Sequence, residues 1–279
     1  MDGHFRAFSF VDRISSLEPG HVRGSYTIPS AIQTFPAALV AEAVGQLAAW
    51  AAMAALEFKS RPVAGLAASI ELLSPVRPGQ VLELAADLET VDAEAAAYDG
   101  TATADGIPVI RLQHCVGPMV PVEEFDDPQA LRERFMLLRG AGATPGAFGG
   151  VPPLELNHNG GEDERALCAT LHVPGRAPFF DDHFPRRPVL PGALLMNSNL
   201  ELVAALAKKL PAPSAGRKWA MRGVYDVKLR AFTPPGDTLQ LEARLNQLSP
   251  DAATVIVEIR KGTRIIGGSR VRLVPEVSA

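Results

Sequence analysis

This chain of 279 residues has few cysteines and a small net charge. Its two cysteines, Cys115 and Cys168, are too few for a disulfide framework or a four-ligand zinc site, so we expect reduced, buried thiols. The formal net charge of −4 gives no electrostatic footprint for nucleic acid or an anionic membrane. The N-terminus has no apolar stretch behind a basic start, so we predict no secretory signal and a cytoplasmic location.

Motifs for metal binding and for serine hydrolysis are also missing. The sequence has no HExxH pattern, no paired Cys/His spacing and no GxSxG turn. We therefore expect neither a metal site nor a cofactor. The histidines outside the motif described below are scattered and carry no spacing signal: His4, His21, His114, His158 and His172.

Long apolar stretches, in contrast, are present twice. One predicted helix runs from Phe35 to Leu56, and a second runs from Pro191 to Leu210. Hydropathy alone leaves a membrane span open for the first of them. Its alanine-rich composition and the polar pair Glu42 and Gln46, four residues apart on one face, favour a buried helix of a soluble protein, with no membrane span.

The two helices belong to an internal repeat. Pro36 and Pro191 lie 155 residues apart, and Gly79 and Gly236 lie 157 apart at the start of matching strand-like runs. A shared period of this length indicates duplication of one domain, and strands that follow a helix favour an α+β fold. The predicted strands are Ala68–Ser74, Val81–Val91, Ala93–Thr103, Pro108–Val116, Arg222–Ala231, Thr238–Leu248, Thr254–Lys261 and Arg264–Val274.

A segment of different composition separates the two copies. Its acidic start, 123–127, predicts a solvated turn, and Pro128–Arg139 predicts a short helix capped by Asp126 or Asp127. The glycine-rich run from Gly140 predicts a loop. The domain prediction is therefore a first domain over 1–120, a linker with a short helix over 121–153, and a second domain over 154–279.

The densest motif is DHFPRRPVLPGALL, which begins at Asp182. It resembles the active-site segment of the hot-dog-fold 3-hydroxyacyl-acyl-carrier-protein dehydratases, which have a His-Phe-Pro loop, a Pro-Val-x-Pro-Gly turn and then a central helix. The first-half stretch FPAALVAEAVGQLAA resembles the helix of the same family, with Glu42 and Gln46 in its Glu-Ala-x-x-Gln pattern. The resemblance implies a double hot dog, in which two tandem domains each wrap a curled antiparallel sheet around a long central helix.

The two halves depart from the family in complementary ways. In the family the glutamate follows the histidine by 14 residues, but that position after His183 is Asn197, and the matching position before Glu42 is Ile28. Each site of the family dimer takes its histidine from one subunit and its glutamate from the other. The resemblance therefore implies one intact site from His183 and Glu42, and one dead site from Ile28 and Asn197.

The resemblance also implies roles for these residues. Neutral His183 would take the C2 proton, and a protonated Glu42 in apolar surroundings would donate to the leaving hydroxide. The backbone N–H groups of Gly192 and Ala193 would receive the charge on the thioester oxygen, and Gly192 would let substrate approach the backbone. Further residues are expected in the substrate tunnel or loop: Phe184, Pro188, Pro191, Leu194 and Gln46.

The implied activity is dehydration of a 3-hydroxyacyl thioester to the trans-2-enoyl thioester, in fatty acid or polyketide biosynthesis. The expected partner is acyl carrier protein with a phosphopantetheine-linked acyl chain, and coenzyme A is a second carrier. Arg186, Arg187 and Arg217 either contact a carrier phosphate or lie on a solvated surface. Two alternatives stay open: a hot-dog acyl thioesterase that uses Asn197, and a non-catalytic acyl-binding protein. Assembly of several double hot dogs is also open.

Overall fold

The computed structural model describes residues 4–159, 164–214 and 216–277. Within these ranges the chain forms thirteen strands and four α-helices. In chain order they are β1 (Arg13–Glu18), β2 (His21–Thr27), α1 (Ala37–Ala55), β3 (Ser60–Pro62), β4 (Leu66–Leu72), β5 (Val81–Val91), β6 (Ala95–Ala104), β7 (Ile107–Pro121), α2 (Val122–Phe125), α3 (Pro128–Arg139), β8 (Leu156–Asn159), β9 (Ala166–His172), α4 (Gly192–Ala207), β10 (Arg217–Leu229), β11 (Thr238–Leu248), β12 (Ala253–Lys261) and β13 (Arg264–Val277).

The strands form one continuous antiparallel sheet. Its order is β1-β2-β5-β6-β7-β4-β10-β13-β12-β11-β9-β8, and β3 pairs with β7 beside this path. The two halves of this order are mirror images: counted outward from the centre, β4, β7, β6, β5, β2 and β1 correspond to β10, β13, β12, β11, β9 and β8. There β4 and β10 pair with Ile70 opposite Val224, and both side chains are buried. The two halves are therefore joined by backbone hydrogen bonds as well as by the connecting segment.

The two long helices form the centre that the strands enclose. Helix α1 packs against β5 and β6, α4 packs against β9 and β11, and the two helices contact each other. Pro36 and Pro191 are the N-cap residues of these helices, where the missing N–H of proline removes no intrahelical hydrogen bond. An apolar helix surrounded by strands confirms the predicted α+β architecture. Helix α4 ends at Ala207, three residues before the predicted end at Leu210.

Helix α1 also meets the length and composition criteria for crossing a membrane. Two thirds of its most apolar window is buried inside the protein, which is the pattern of a core helix. Its buried residues face the sheet and α4, so its apolar surface already has a partner.

All eight predicted strands are present, Val81–Val91 and Thr238–Leu248 with the predicted ends and the other six with shifted ends, but the sequence missed β1, β2, β3, β8 and β9. Strand β8 has four residues with mostly exposed side chains, and β3 has three, so neither offers enough alternation to detect. Strands β1 and β2 form a hairpin whose serine and charged residues face outward. These strands complete each half of the sheet beyond the run that follows the helix.

Two predictions about individual side chains are wrong. Cys115 is buried, but Cys168 is exposed because it points to the outer face of β9. The acidic run after Pro121 is not a solvated turn throughout. It forms the short helix α2, and Asp126 is only 1% exposed.

The segment predicted as a linker packs against the first half. Asp127 caps α3 by accepting hydrogen bonds from the first-turn N–H groups, as predicted. Leu131 and Phe135 on α3 are buried, and Phe148 in the following loop packs edge-on against Phe10. The proposed domain boundaries stay a prediction, but this connection is a structural part of the first half.

Candidate active site

A cavity of about 210 Å³ is lined by residues of both central helices. Glu42 of the first half and His183 of the second half both border this one cavity. Most of the remaining wall is apolar, and α4 contributes Ala193, Met196 and Asn199 at successive turns. The two titratable residues that the sequence motifs single out therefore border one cavity, although they come from different halves of the chain.

Glu42 is oriented by the polar residue one turn further along α1. Gln46 Nε2 donates to Glu42 Oε1 at 3.0 Å and to the backbone oxygen of Phe8 at 3.1 Å. Gln46 Oε1 accepts from Phe10 N at 2.8 Å, which fixes which end of the amide faces Glu42. Burial raises the pKa of Glu42, and the opposing effects of Gln46 and of the Arg61 charge do not cancel the rise. The neutral carboxyl is thus favoured.

His183 lies in the loop between a 3-10 turn (Pro178–Asp181) and α4. Its Nδ1 lies 3.3 Å from the backbone oxygen of Val189, so Nδ1–H donates there and Nε2 keeps its lone pair. The ring stacks on Phe184 and meets the edge of Phe8. Burial and the nearby Arg61 charge lower the pKa of His183 to about 3, so the imidazole is neutral near pH 7.

Glu42 and His183 are each half-buried by exposed area, although protein surrounds their ionisable ends. Both observations agree because the accessible part of each side chain borders the cavity. The exposed area therefore gives a bound molecule contact with these groups, whereas the surrounding protein determines their pKa values.

The start of α4 forms another part of the wall. Gly192 and Ala193 border the cavity, and their N–H groups belong to the first turn, which has no intrahelical acceptors. A Cβ at Gly192 would lie 2.8 Å from Leu229 Cδ1 and 3.1 Å from Ala64 Cβ. The absence of a side chain at Gly192 thus lets α4 pack closely against these residues, and the approach of substrate to this backbone stays a prediction.

The other predicted tunnel and loop residues divide into two groups. Phe184 and Gln46 border the cavity, whereas Pro188, Pro191 and Leu194 do not. Pro191 is the cap residue of α4, and Leu194 is buried in the hydrophobic core. At the positions that match the site residues in the other half, Ile28 is fully buried and Asn197 donates to Glu201 Oε1 at 2.8 Å.

Sequence reasoning missed Arg61, which also borders the cavity. It follows α1 on strand β3, and its Nη1 donates to Asp126 Oδ2 at 3.1 Å. The guanidinium carbon lies 3.9 Å from the centroid of the Phe184 ring, next to His183. No local motif marks this contact, because Asp126 and Phe184 are distant from Arg61 in the chain and reach it through the fold.

The N-terminal segment was missed as well. Asp182 accepts hydrogen bonds from the backbone N–H groups of Phe5 and Phe8, the second at 2.7 Å. Phe5, Phe8 and Ser9 consequently border the cavity. Together with the Gln46 contacts to Phe8 and Phe10, these bonds hold residues 5–10 between the acid-bearing helix and the histidine loop.

The arginines after His183 are paired at the surface. Arg186 Nη2 lies 3.0 Å from Asp127 Oδ2, and Arg187 Nη1 lies 3.4 Å from Glu124 Oε2. All four side chains are exposed. The acidic run of the connecting segment therefore partly neutralises the basic pair of the histidine loop.

One group with metal-ligand chemistry occurs within residues 4–159, 164–214 and 216–277. Potential ligand atoms of Glu89, Asp99 and His114 lie within 4.8 Å of one another on the outer face of β5, β6 and β7. Their spacing in the sequence gave no signal because adjacent strands bring them together. None of the three borders the cavity.

Comparison with known families connects the second half to dehydratases. Residues 159–265 match the family model described as ApeI-like, ApeI dehydratase. The chain is 37% identical over 85 residues to the 3-hydroxyacyl-acyl-carrier-protein dehydratase FabZ of Roseiflexus sp. (strain RS-1), a stretch that covers 30% of this chain and 58% of the relative. The chain spans about three fifths of the length of the curated relatives it matches first.

Comparison with solved structures covers nearly the whole chain. A protein described as an oleoyl thioesterase from Lactobacillus plantarum aligns with a TM-score of 0.59 and 12% identity, over 92% of this chain and 97% of the other. A hot-dog-fold protein of unknown function from Alicyclobacillus acidocaldarius aligns with a TM-score of 0.55 and 12% identity, over 99% and 98%. At such identities these likenesses concern the fold alone.

The chain is a hot-dog-fold protein of the α+β class. The predicted resemblance to the hot-dog dehydratases is confirmed, since the second half is similar to the ApeI-like family and part of the chain is similar to FabZ. The matched region 159–265 includes His183 and α4 but excludes Glu42.

Proposed function

We propose that this protein is a dehydratase that converts a 3-hydroxyacyl thioester to the trans-2-enoyl thioester at one site composed from both halves. The observation that carries the proposal is that Glu42 and His183 border the same cavity and have opposite pKa shifts. A neutral imidazole and a neutral carboxyl are the protonation states that a base and an acid need before the reaction.

The reaction needs one proton removed and one proton supplied. His183 Nε2 takes the proton from C2, and the electron pair of that bond forms the C2–C3 double bond as the C3–O bond breaks. Glu42 donates its proton to the departing hydroxyl, which leaves as water. The products are the enoyl thioester, water, an imidazolium and a carboxylate. The last two carry opposite charges, so each stabilises the other until a proton returns to Glu42.

Charge also develops on the thioester oxygen as the C2 proton departs. The N–H groups of Gly192 and Ala193 are the first two of α4, where unsatisfied donors and the helix dipole favour negative charge. Val189 accepts the Nδ1 proton of His183, which keeps Nε2 as the reacting nitrogen. Gln46 holds one oxygen of Glu42, so the other oxygen is free to carry the transferred proton.

The apolar wall of the cavity suits an acyl chain, and the name of the FabZ relative indicates acyl carrier protein as the carrier. We propose an acyl-carrier-protein-linked substrate in fatty acid biosynthesis, with coenzyme A thioesters and a polyketide pathway as further forms of the same chemistry. Cytoplasmic location and the assembly of several chains stay predictions.

The test is a set of single variants assayed for the conjugated enoyl thioester by its ultraviolet absorbance. We expect His183→Ala and Glu42→Gln each to lower kcat by about 10²- to 10⁴-fold, because each removes one proton-transfer group. Asn197→Ala is the matched control on α4 and should stay within about twofold of the wild-type rate, because Asn197 does not border the cavity. A wild-type rate in either site variant would refute the assignment.

The thioesterase alternative predicts a different product. A thiol reagent in the same assay detects a released carrier thiol, and its appearance with loss of activity in Asn197→Ala would favour that alternative. Binding of the acyl thioester without either product would favour a non-catalytic role. The fold similarity to an oleoyl thioesterase motivates this measurement.

A further inference from the structure

The ion pair between Arg61 and Asp126 is buried beside the cavity. The Arg61 side chain is 13% exposed and that of Asp126 is 2% exposed. Asp126 is held by further contacts, since Oδ1 accepts from Asp127 N at 2.8 Å and lies 3.5 Å from His4 Nε2. A buried ion pair is costly to form, and an apolar pair of similar volume is often at least as stable. Its presence here therefore points to a role besides stability.

Arg61 links the two halves at the histidine loop. It belongs to β3 of the first half, and its guanidinium plane covers the ring of Phe184 in the second half. Phe184 packs with Phe125 and Val189 in a small apolar cluster, and Val189 is also the residue that accepts the His183 hydrogen bond. A guanidinium can stack on a ring and pair with a carboxylate at the same time, which an ammonium cannot do with equal geometry.

The Arg61 charge acts on both groups of the proposed site. It opposes a charge on His183 and favours a charge on Glu42, and burial lowers its own pKa only to about 10, so it is cationic near pH 7. Several other titratable groups surround this region. They are Asp126 and His4 beside Arg61, Asp182 and Arg134 beside the N-terminal segment, Tyr98 beside Glu42, and the exposed pairs Arg186 with Asp127 and Arg187 with Glu124.

We propose that Arg61 is a positioning residue for the composite site, which holds the histidine loop against the first half and, balanced by Asp126, sets the charge states of His183 and Glu42. The inference rests on the proposed dehydratase function. Arg61 acts through the other two residues and takes no part in proton transfer. The pair thus couples the segment after α1 and the start of the connecting segment to the chemistry of the second half.

The basic limb of the pH–rate profile measures the charge effect, because the rate falls as Glu42 loses its proton. Arg61→Met removes a cation that favours the carboxylate, so the limb moves to higher pH by about one unit. Asp126→Asn leaves the Arg61 charge without its partner, so the limb moves to lower pH. Arg61→Lys keeps the charge and loses the stacking, so the limb stays and kcat falls by about tenfold.

Opposite limb shifts in Arg61→Met and Asp126→Asn are the expected result, because a merely structural pair would lower the rate in both variants without moving the limb. The double variant Arg61→Met/Asp126→Leu covers the case in which a single variant fails to fold, since it leaves no unpaired buried charge. Its limb should move to higher pH by less than that of Arg61→Met. Limbs that stay at the wild-type pH in folded variants would overturn the inference.

A second readout does not depend on turnover. Imidazole nitrogen NMR, with the His183 signal assigned by its loss in His183→Gln, should show a protonation midpoint that is higher in Arg61→Met than in the wild type. An unchanged midpoint would overturn the inference even if the enzyme is active. Absence of any dehydration by the wild type would refute the proposed function instead, and the NMR comparison would still decide whether Arg61 controls the charge of His183.

Discussion

The two halves share one frame and differ in what they contribute to the cavity. Both have a central helix preceded by proline and the same order of antiparallel strands. The first half contributes the carboxyl of Glu42 with Gln46 and Arg61, and the second contributes the imidazole of His183 with the start of α4. At the matching positions stand Asn197 and a fully buried Ile28. The fold of each half is thus kept even though a matching side chain is missing, and neither half alone holds both Glu42 and His183.

A further difference lies on the inner faces of the helices. Val44 of α1 is fully buried and packs against Gly100. A Cβ added at Gly100 would lie only 2.3 Å from Val44 Cγ1. The residue 155 positions later, Asn199, is 6% exposed and its Oδ1 is buried with no hydrogen-bond partner. The first helix is therefore packed for stability at this level, and the second helix keeps an unsatisfied amide beside the cavity.

Exchanging these two side chains should give the largest effect on stability. We expect Val44→Asn to lower the free energy of unfolding by about 3 kcal/mol, because it buries an amide without partners. Asn199→Val should raise it by about 1 kcal/mol, because it removes such a group. Urea unfolding monitored by circular dichroism measures both. Equal and small effects would mean that the two helices are packed alike at this level.

The pH dependence of stability should separate the contributions of the two halves. The pKa of His183 is lower in the folded protein than its usual 6.5, so below pH 6.5 the unfolded state binds the proton and stability falls as pH falls. The pKa of Glu42 is higher than its usual 4.5, so above pH 4.5 the unfolded state loses the proton and stability falls as pH rises. Between these two values the two dependences oppose each other.

Single variants should therefore reveal opposite slopes. Above pH 4.5, Glu42→Gln should become more stable relative to wild type as pH rises, because it lacks a carboxyl that holds its proton only in the folded state. From pH 4.5 to 6.5, His183→Gln should become less stable relative to wild type as pH rises, by about 1 kcal/mol per pH unit. Asn197→Ala is the control and should run parallel to wild type, since the other carboxyl groups are common to all variants. Parallel curves for all four proteins would contradict the pKa shifts assigned to the site.

The smallest effect is expected from restoring a carboxylate to the second helix. Asn197→Glu puts the family's residue type at its usual spacing from His183, but it faces Glu201 one turn away. Like charges at this spacing lower stability by about 0.3 kcal/mol. Dehydration should be unchanged, because Asn197 does not border the cavity. A clear gain in turnover would show that the second copy holds a usable site.

The sequence alone predicted the parts of the fold that rest on hydrophobic periodicity and on the repeated prolines and glycines at the starts of helices and strands. The helices α1, α3 and α4, eight of the thirteen described strands and the α3 cap at Asp127 are local patterns that burial and backbone geometry impose. Short strands such as β3 and β8 were missed because their pairing partners, and not their own composition, make them strands.

The candidate site was predictable only for the residues that lie within a recognisable sequence motif. His183, Glu42 and Gln46 follow from spacing and resemblance, and their meeting at one cavity was a hypothesis about how the halves pack. Arg61, Asp126 and the N-terminal segment were not predictable, since each joins the site through contacts between residues far apart in the chain. Cys168 was misassigned because residue type alone does not tell which face of a strand it occupies.

The covalent connection between the halves has an evolutionary consequence. In a dimer of identical subunits every substitution occurs twice, so a change that suits one site is imposed on its symmetric copy. In this chain the segment around α3 ties two unlike copies together, and a mutation alters one without the other. Each half is thus free to diverge separately, one around Glu42 and the other around His183, while the shared sheet keeps the two halves paired.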